Sequence, residues 1–177
     1  KKNLKIQGYS IECRIYAEDG FNNFSPSTGK ISDMIIPQGI GVRFDDGVRI
    51  HQEVTPYYDP LLGKLITWGP NRKMAIQRMI RSLKEFQIAG IETTIPFVLM
   101  IVKHTKFTDG NYCTHTLNEI SEELLGELKI HQKDRILSAG IAAALHSTTS
   151  QKNSINGSGY AKPISKWKQH GDKENLR

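Results

Sequence analysis

The sequence has little cysteine: Cys13 and Cys113 are the only two, and they lie far apart. A disulfide framework or a cysteine-based zinc site needs more than that. The expected setting is therefore reducing and cytoplasmic, with both thiols free. Long apolar runs are also missing; none approaches the roughly 20 residues that cross a bilayer. The N-terminal Lys1-Lys2-Asn3-Leu4-Lys5-Ile6 lacks the apolar centre of a signal peptide, so no membrane partner is expected. The histidines His51, His104, His131, His146 and His170 have no mutual spacing that would hold a metal. There is no internal repeat. There is no initiating methionine either, and the chain opens almost at once on a strand, as expected of a piece of a longer protein.

Hydrophobic residues make up 38% of the 177 positions, which fits a compact core with a polar appendage better than one uniform globule. The net charge of +6 raises the possibility of nucleic acid. Its distribution argues against it. From Gln151 to Arg177 the basic residues are Lys152, Lys162, Lys166, Lys168, Lys173 and Arg177, against Asp172 and Glu174. Much of the excess thus sits in a solvated tail, and no aromatic-interleaved basic strand or zinc pattern accompanies it.

The stretch from Gly8 to Asp19 alternates. Tyr9, Ile11, Cys13, Ile15 and Ala17 fall on one side of an extended chain, and Ser10, Glu12, Arg14, Tyr16 and Glu18 on the other. It reads as a half-buried strand whose wet face sets Arg14 between two carboxylates. Residues 20–29 read as loop and Ile31–Ile36 as a second strand. Val42–Ile50 reads as a β-hairpin turning at Asp46-Gly47 with positive φ, and Leu61–Trp68 as a further strand. Asn71 is placed to cap a helix over Arg72–Gln87, with Ile76, Met79, Ile80, Leu83 and Phe86 facing a core. Thr94 and Pro96 open an expected second helix through Lys103, whose run Phe97–Val102 is apolar all round and suits a buried helix or a strand. Thr116-Leu117-Asn118-Glu119 has the capping-box pattern and opens a helix bearing Leu117, Ile120, Leu124 and Leu128. Beyond about residue 134, Ile136–Leu145 suits a short helix, and Ser147–Gly159 a flexible segment. The expected class is α+β, an antiparallel sheet followed by helices packed on it. The expected domains are 1–133 and a flexible, basic extension over 134–177.

Several uncommon words stand in one order along this chain: Gly8-Tyr9-Ser10-Ile11-Glu12-Cys13-Arg14-Ile15-Tyr16-Ala17-Glu18-Asp19, then Phe24-Ser25-Pro26-Ser27-Thr28-Gly29, Gly41-Val42-Arg43, Tyr57-Tyr58-Asp59-Pro60-Leu61-Leu62-Gly63-Lys64-Leu65, and Gly90-Ile91-Glu92-Thr93-Thr94-Ile95-Pro96-Phe97. Together they resemble the C-terminal domain of biotin carboxylase, the ATP-grasp subunit of acyl-CoA, acetyl-CoA and pyruvate carboxylases. The resemblance covers roughly the first 120 residues. The ending, Ile164 to Gly171, is similar more weakly to extensions of the multisubunit members.

The resemblance implies a ligase that uses ATP to activate bicarbonate and carboxylates the ureido nitrogen of biotin carried on a separate protein. It implies that Arg14 is catalytic and contacts biotin. A fixed guanidinium there would stabilise the charge that collects on the ureido oxygen. Glu12 and Asp59 are possible supports: Glu12 and Glu18 orient Arg14 or solvate the strand, Asp59 supports the site or simply caps a turn, and Tyr58 is structural. Ile40 and Arg43 match the homodimer contact, with Ile40 in place of the family's Phe. Thr114 and His115 match positions lining the adenine pocket. The implied cofactors are biotin, ATP and Mg2+ or Mn2+. The implied partners are a second copy in a homodimer, a biotin carboxyl carrier protein and a carboxyltransferase subunit. No Gly-rich phosphate loop, paired magnesium carboxylates or Met-Lys-Met biotin-attachment word occurs in the sequence. The fragment alone is thus expected to be inactive. The rival expectation is a non-catalytic dimerisation or assembly module in which Arg14 is only a surface cation.

Overall fold

The structure is a computed structural model and describes residues 5–155. It has the expected α+β class. Strand β1 (Tyr9–Tyr16) is followed by the short strands β2 (Glu18–Asp19), β3 (Ser25–Pro26), β4 (Gly29–Lys30) and β5 (Asp33–Ile35). Next come β6 (Val42–Asp46), β7 (Glu53–Val54) and the long β8 (Leu61–Gly69). Helix α1 (Arg72–Glu85) leads through β9 (Gln87–Ala89) to α2 (Ile95–Lys103), α3 (Thr105–Thr108) and α4 (Thr116–Ile155). The chain divides into two compact units, Lys1–Gln132 and Lys133–Arg177.

The main sheet of the first unit has the order β1-β8-β6, antiparallel throughout. Strand β1 alternates as its sequence does, whereas β8, in the middle, is apolar on both faces and buries Thr67 on the core side. Cys13, Ile15, Leu65 and Thr67 are buried on one face, with Ile11, Val42 and Phe44 partly so. Helix α1 covers that face with Ala75, Ile76, Met79 and Leu83. Each large side chain withdrawn from water there contributes about 1.5–3 kcal/mol. The Asn71 side chain accepts from the Met74 amide at 2.9 Å, as expected of an N-cap. The buried Thr67 hydroxyl donates to the Ala75 carbonyl at 3.0 Å, fixing the helix on the middle strand. A second cluster joins Phe97 of α2 to Ile120, Leu124 and Leu128 of α4.

Several expectations are corrected. Val42–Ile50 is not a hairpin. β6 pairs with β8, Val42 facing Thr67 and Asp46 facing Gly63, and the Gly47 amide donates to the Leu62 carbonyl. Gly47 has no positive φ. The long-range pairing wins because it places Val42 and Phe44 on the core face. Helix α1 stops at Glu85, since residues 87–89 pair with β5; that strand is also shorter than the expected Ile31–Ile36. The loop over 20–29 contains β3 and the first residue of β4. The apolar run after Thr94 is helix. The capping box does not form. The Thr116 hydroxyl accepts from the Cys113 amide at 2.9 Å, and the Glu119 carboxylate pairs with Lys106. Helix continues through 134 to Ile155, where a break and a flexible segment were expected. Residues 156–159 and the basic tail lie outside the described residues. In the second unit, Ile136, Leu137 and Ile141 are exposed.

Candidate functional site

The sheet face opposite α1 carries the polar side chains. Two rungs cross it. Glu12 faces Ile66, which faces Arg43; Arg14 faces Lys64, which faces Asp45. Arg14 is exposed between buried Cys13 and Ile15, and its guanidinium lies 5.5 Å from the centre of the Tyr16 ring. A cation over an aromatic face is held loosely but directionally. Among the described residues no carboxylate pairs with Arg14. Of the two roles expected of Glu12 and Glu18, this favours solvating the strand over orienting Arg14. Glu12 makes no ion pair with it. A register shift between Ile15 and Tyr16 ends the strand, so Glu18 belongs to β2 instead.

Thr94 anchors the end of β1. Its buried hydroxyl accepts from the Tyr16 amide at 3.1 Å, and its own amide donates to the Tyr16 carbonyl at 3.1 Å. The first turn of α2 thereby fixes the backbone two residues from Arg14. Sequence reasoning read Thr94 only as the start of a helix; nothing local signals a bond to residue 16.

Arg43 is committed elsewhere. Its guanidinium grips both oxygens of Asp45, at 3.0 and 3.1 Å. At 69% and 49% exposure the pair adds little stability, but it fixes the direction of the Arg43 side chain. Ile40 is 84% exposed in the turn before β6 and borders a groove lined by Gln77, Arg78 and Arg81. Arg78 donates to the Trp68 carbonyl at 2.6 Å.

Asp59 caps the turn entering β8, accepting from the Leu61 amide at 2.9 Å. Tyr58 is 83% exposed in the same turn. Thr114 and His115 are exposed in the turn that opens α4, where the His115 carbonyl accepts from the Asn118 amide at 3.0 Å. No hydrogen bond or ion pair links Asp59, Thr114 or His115 to Arg14 among the described residues. Nor do those residues contain a cluster of three or more metal-ligating side chains, and no helix among them is long and apolar enough to cross a membrane.

The two free thiols contrast. Burial, then the neighbouring Glu12 charge, pushes Cys13 up to about 12. Cys113 is exposed and held below its ordinary value, first by the His115 backbone and then by the Thr116 hydroxyl. The thiolate is the reactive form. Iodoacetamide at pH 8 is therefore expected to alkylate Cys113 and leave Cys13 intact in the folded protein, as read by peptide mass mapping. Equal labelling of both would contradict the burial of Cys13.

Comparisons with known proteins bear on the fold and the family. Pyruvate carboxylase of Bacillus subtilis is 43% identical over 136 residues, 76% of this chain and 12% of that protein. Biotin carboxylase of a Nostoc species is 45% identical over 117 residues, 66% of this chain and 26% of that protein. The biotin carboxylase domain dimer of Hydrogenobacter thermophilus 2-oxoglutarate carboxylase was solved with MgADP, ADP and bicarbonate. It superposes with a TM-score of 0.67 at 40% identity, covering 70% of this chain and 27% of that one. The chain thus spans little more than a quarter, or less, of each of these relatives. Residues 12–119, more than half of the sequence, match the biotin carboxylase C-terminal domain, and the chain belongs to that family.

Proposed function

We propose that this chain is the C-terminal part of a biotin carboxylase subunit, where it supplies the biotin-facing cation of an ATP- and bicarbonate-dependent ligase. One observation carries the reading: Arg14 is an exposed guanidinium, held on an ordered sheet by flanking core residues and without a carboxylate partner among the described residues. Such a group suits an oxygen that gains negative charge. In biotin, the ureido oxygen gains charge as the neighbouring nitrogen loses its proton. Arg14 would donate to that oxygen, its fork matching the two lone pairs. The Thr94–Tyr16 bonds would keep the strand from shifting during the reaction.

ATP and Mg2+ or Mn2+ would be held mainly by residues outside this chain. Thr114 and His115 would touch the adenine, and Asp59 would position the turn beside the site. The partners would be a biotin carboxyl carrier protein and a carboxyltransferase subunit of an acyl-CoA or pyruvate carboxylase, in a cytoplasmic setting suited to free thiols. The decisive assay is ATP-dependent carboxylation of free biotin by the full-length protein and its Arg14→Ala variant. Turnover that survives the substitution would leave only the assembly role.

A homodimer would form through Ile40 and Arg43. Placing a charge on that exposed apolar side chain is expected to weaken self-association about tenfold or more. Analytical ultracentrifugation of full-length Ile40→Asp tests this, and an unshifted dimer would remove Ile40 from the contact.

A further inference from the structure

Lys64 stands directly opposite Arg14 on the middle strand of the sheet, and Asp45 stands opposite Lys64 on its other side. Side chains paired in this way have Cβ atoms about 5 Å apart, and like charges so placed repel. The obvious relief would be Asp45. Both its oxygens are already taken by Arg43. Neither Arg14 nor Lys64 pairs with a carboxylate among the described residues. Gly63 and Leu65, on either side of Lys64, are buried, so its backbone is not free to turn the side chain to the other face. The fold thus places two cations side by side and leaves their repulsion standing, which an anion bound between them would offset.

We propose that Lys64 is the second cation of the Arg14 site, raising the positive field where the ureido oxygen becomes anionic. This rests on the biotin-site reading of Arg14. Uncharged biotin gains little from that field in the ground state, whereas the charge that develops during reaction gains much. Losing Lys64 should therefore lower kcat and leave KM for biotin nearly unchanged. It should also remove a cross-strand repulsion and raise Tm.

The test uses full-length protein carrying Lys64→Met, Lys64→Arg or Arg14→Ala, assayed for free-biotin carboxylation and for Tm. Lys64→Met is expected to lower kcat about tenfold, with KM for biotin held within about twofold and Tm higher by about 1–4 °C. Lys64→Arg is expected to restore most of kcat. Unchanged kcat in Lys64→Met, with Arg14→Ala inactive, would overturn the role of Lys64 while leaving the Arg14 site in place. A kcat loss accompanied by a fall in Tm would overturn it too, since that marks a structural lysine. Full activity in Arg14→Ala would remove the site itself, and this inference with it.

Discussion

Replacing Arg14 with alanine in the full-length protein is expected to lower kcat for free-biotin carboxylation by about 10²–10³, the usual cost of losing one preorganised donor at a developing oxyanion. The fold should not suffer. Arg14 is exposed, and its contact among the described residues is with the Tyr16 ring; losing it also relieves the repulsion with Lys64, so Tm should hold or rise by up to about 4 °C. The size of the kinetic effect follows from how the group is held. Cys13 and Ile15 lock the strand into the core on either side of it, so the guanidinium need not be reorganised as charge develops. Arg14→Lys should recover only part of the loss, because an ammonium lacks the planar fork. Equal activity in Arg14→Lys and wild type would show that charge alone suffices there.

A second large effect is expected far from that face. Gly90 follows β9 with φ of +99°, and a Cβ there would run into the Lys30 carbonyl oxygen and lie 3.0 Å from the Ser32 amide nitrogen. Neither obstacle is a flexible side chain. Both belong to the backbone that meets β9, where the Ser32 amide donates to the Ala89 carbonyl. Gly90→Ala combines left-handed strain of about 1–3 kcal/mol with overpacking of about 1–3 kcal/mol. A loss of about 2–5 kcal/mol would consume a large share of a typical domain's stability. Gly126 is the control: it sits in α4 with open space around the added methyl. Gly126→Ala is expected to stabilise by up to about 1 kcal/mol. Urea unfolding of both variants measures the contrast, and equal midpoints would refute it.

Much of the first unit was legible from short-range signals. The parity of β1, the existence of β8, the Asn71 cap and the stripe of α1 each follow from signals within one segment. What stayed hidden depends on distant partners. The Asp46-Gly47 word suits a hairpin when read alone, but β8 offers a core-facing partner that residues 48–50 cannot match. Gln87 looked like the end of a helix because only β5, some fifty residues earlier, draws Gln87–Ala89 into a strand. Glu18 left the Arg14 row through a register shift that alternation does not encode. At the site, Arg14 was visible through resemblance. Lys64 carried no such signal: Leu62, Ile66 and Trp68 share its parity, and only the register placed it against Arg14. The tie from Thr94 to Tyr16 spans 78 positions and has no local signature.

The order β1-β8-β6 also bears on how the molecule assembles. Strand β1 precedes the other strands of its sheet and, among the described residues, pairs with β8, so that pairing must wait while some fifty residues are synthesised. Closing so long a loop costs entropy before any contact repays it. By contrast β8 and α1 are neighbours in sequence and join through the Thr67 bond as soon as both exist. Folding should therefore nucleate on that pair, with β1 docking late. Until then, the alternating apolar side of β1 is an open edge for a chaperone to shield.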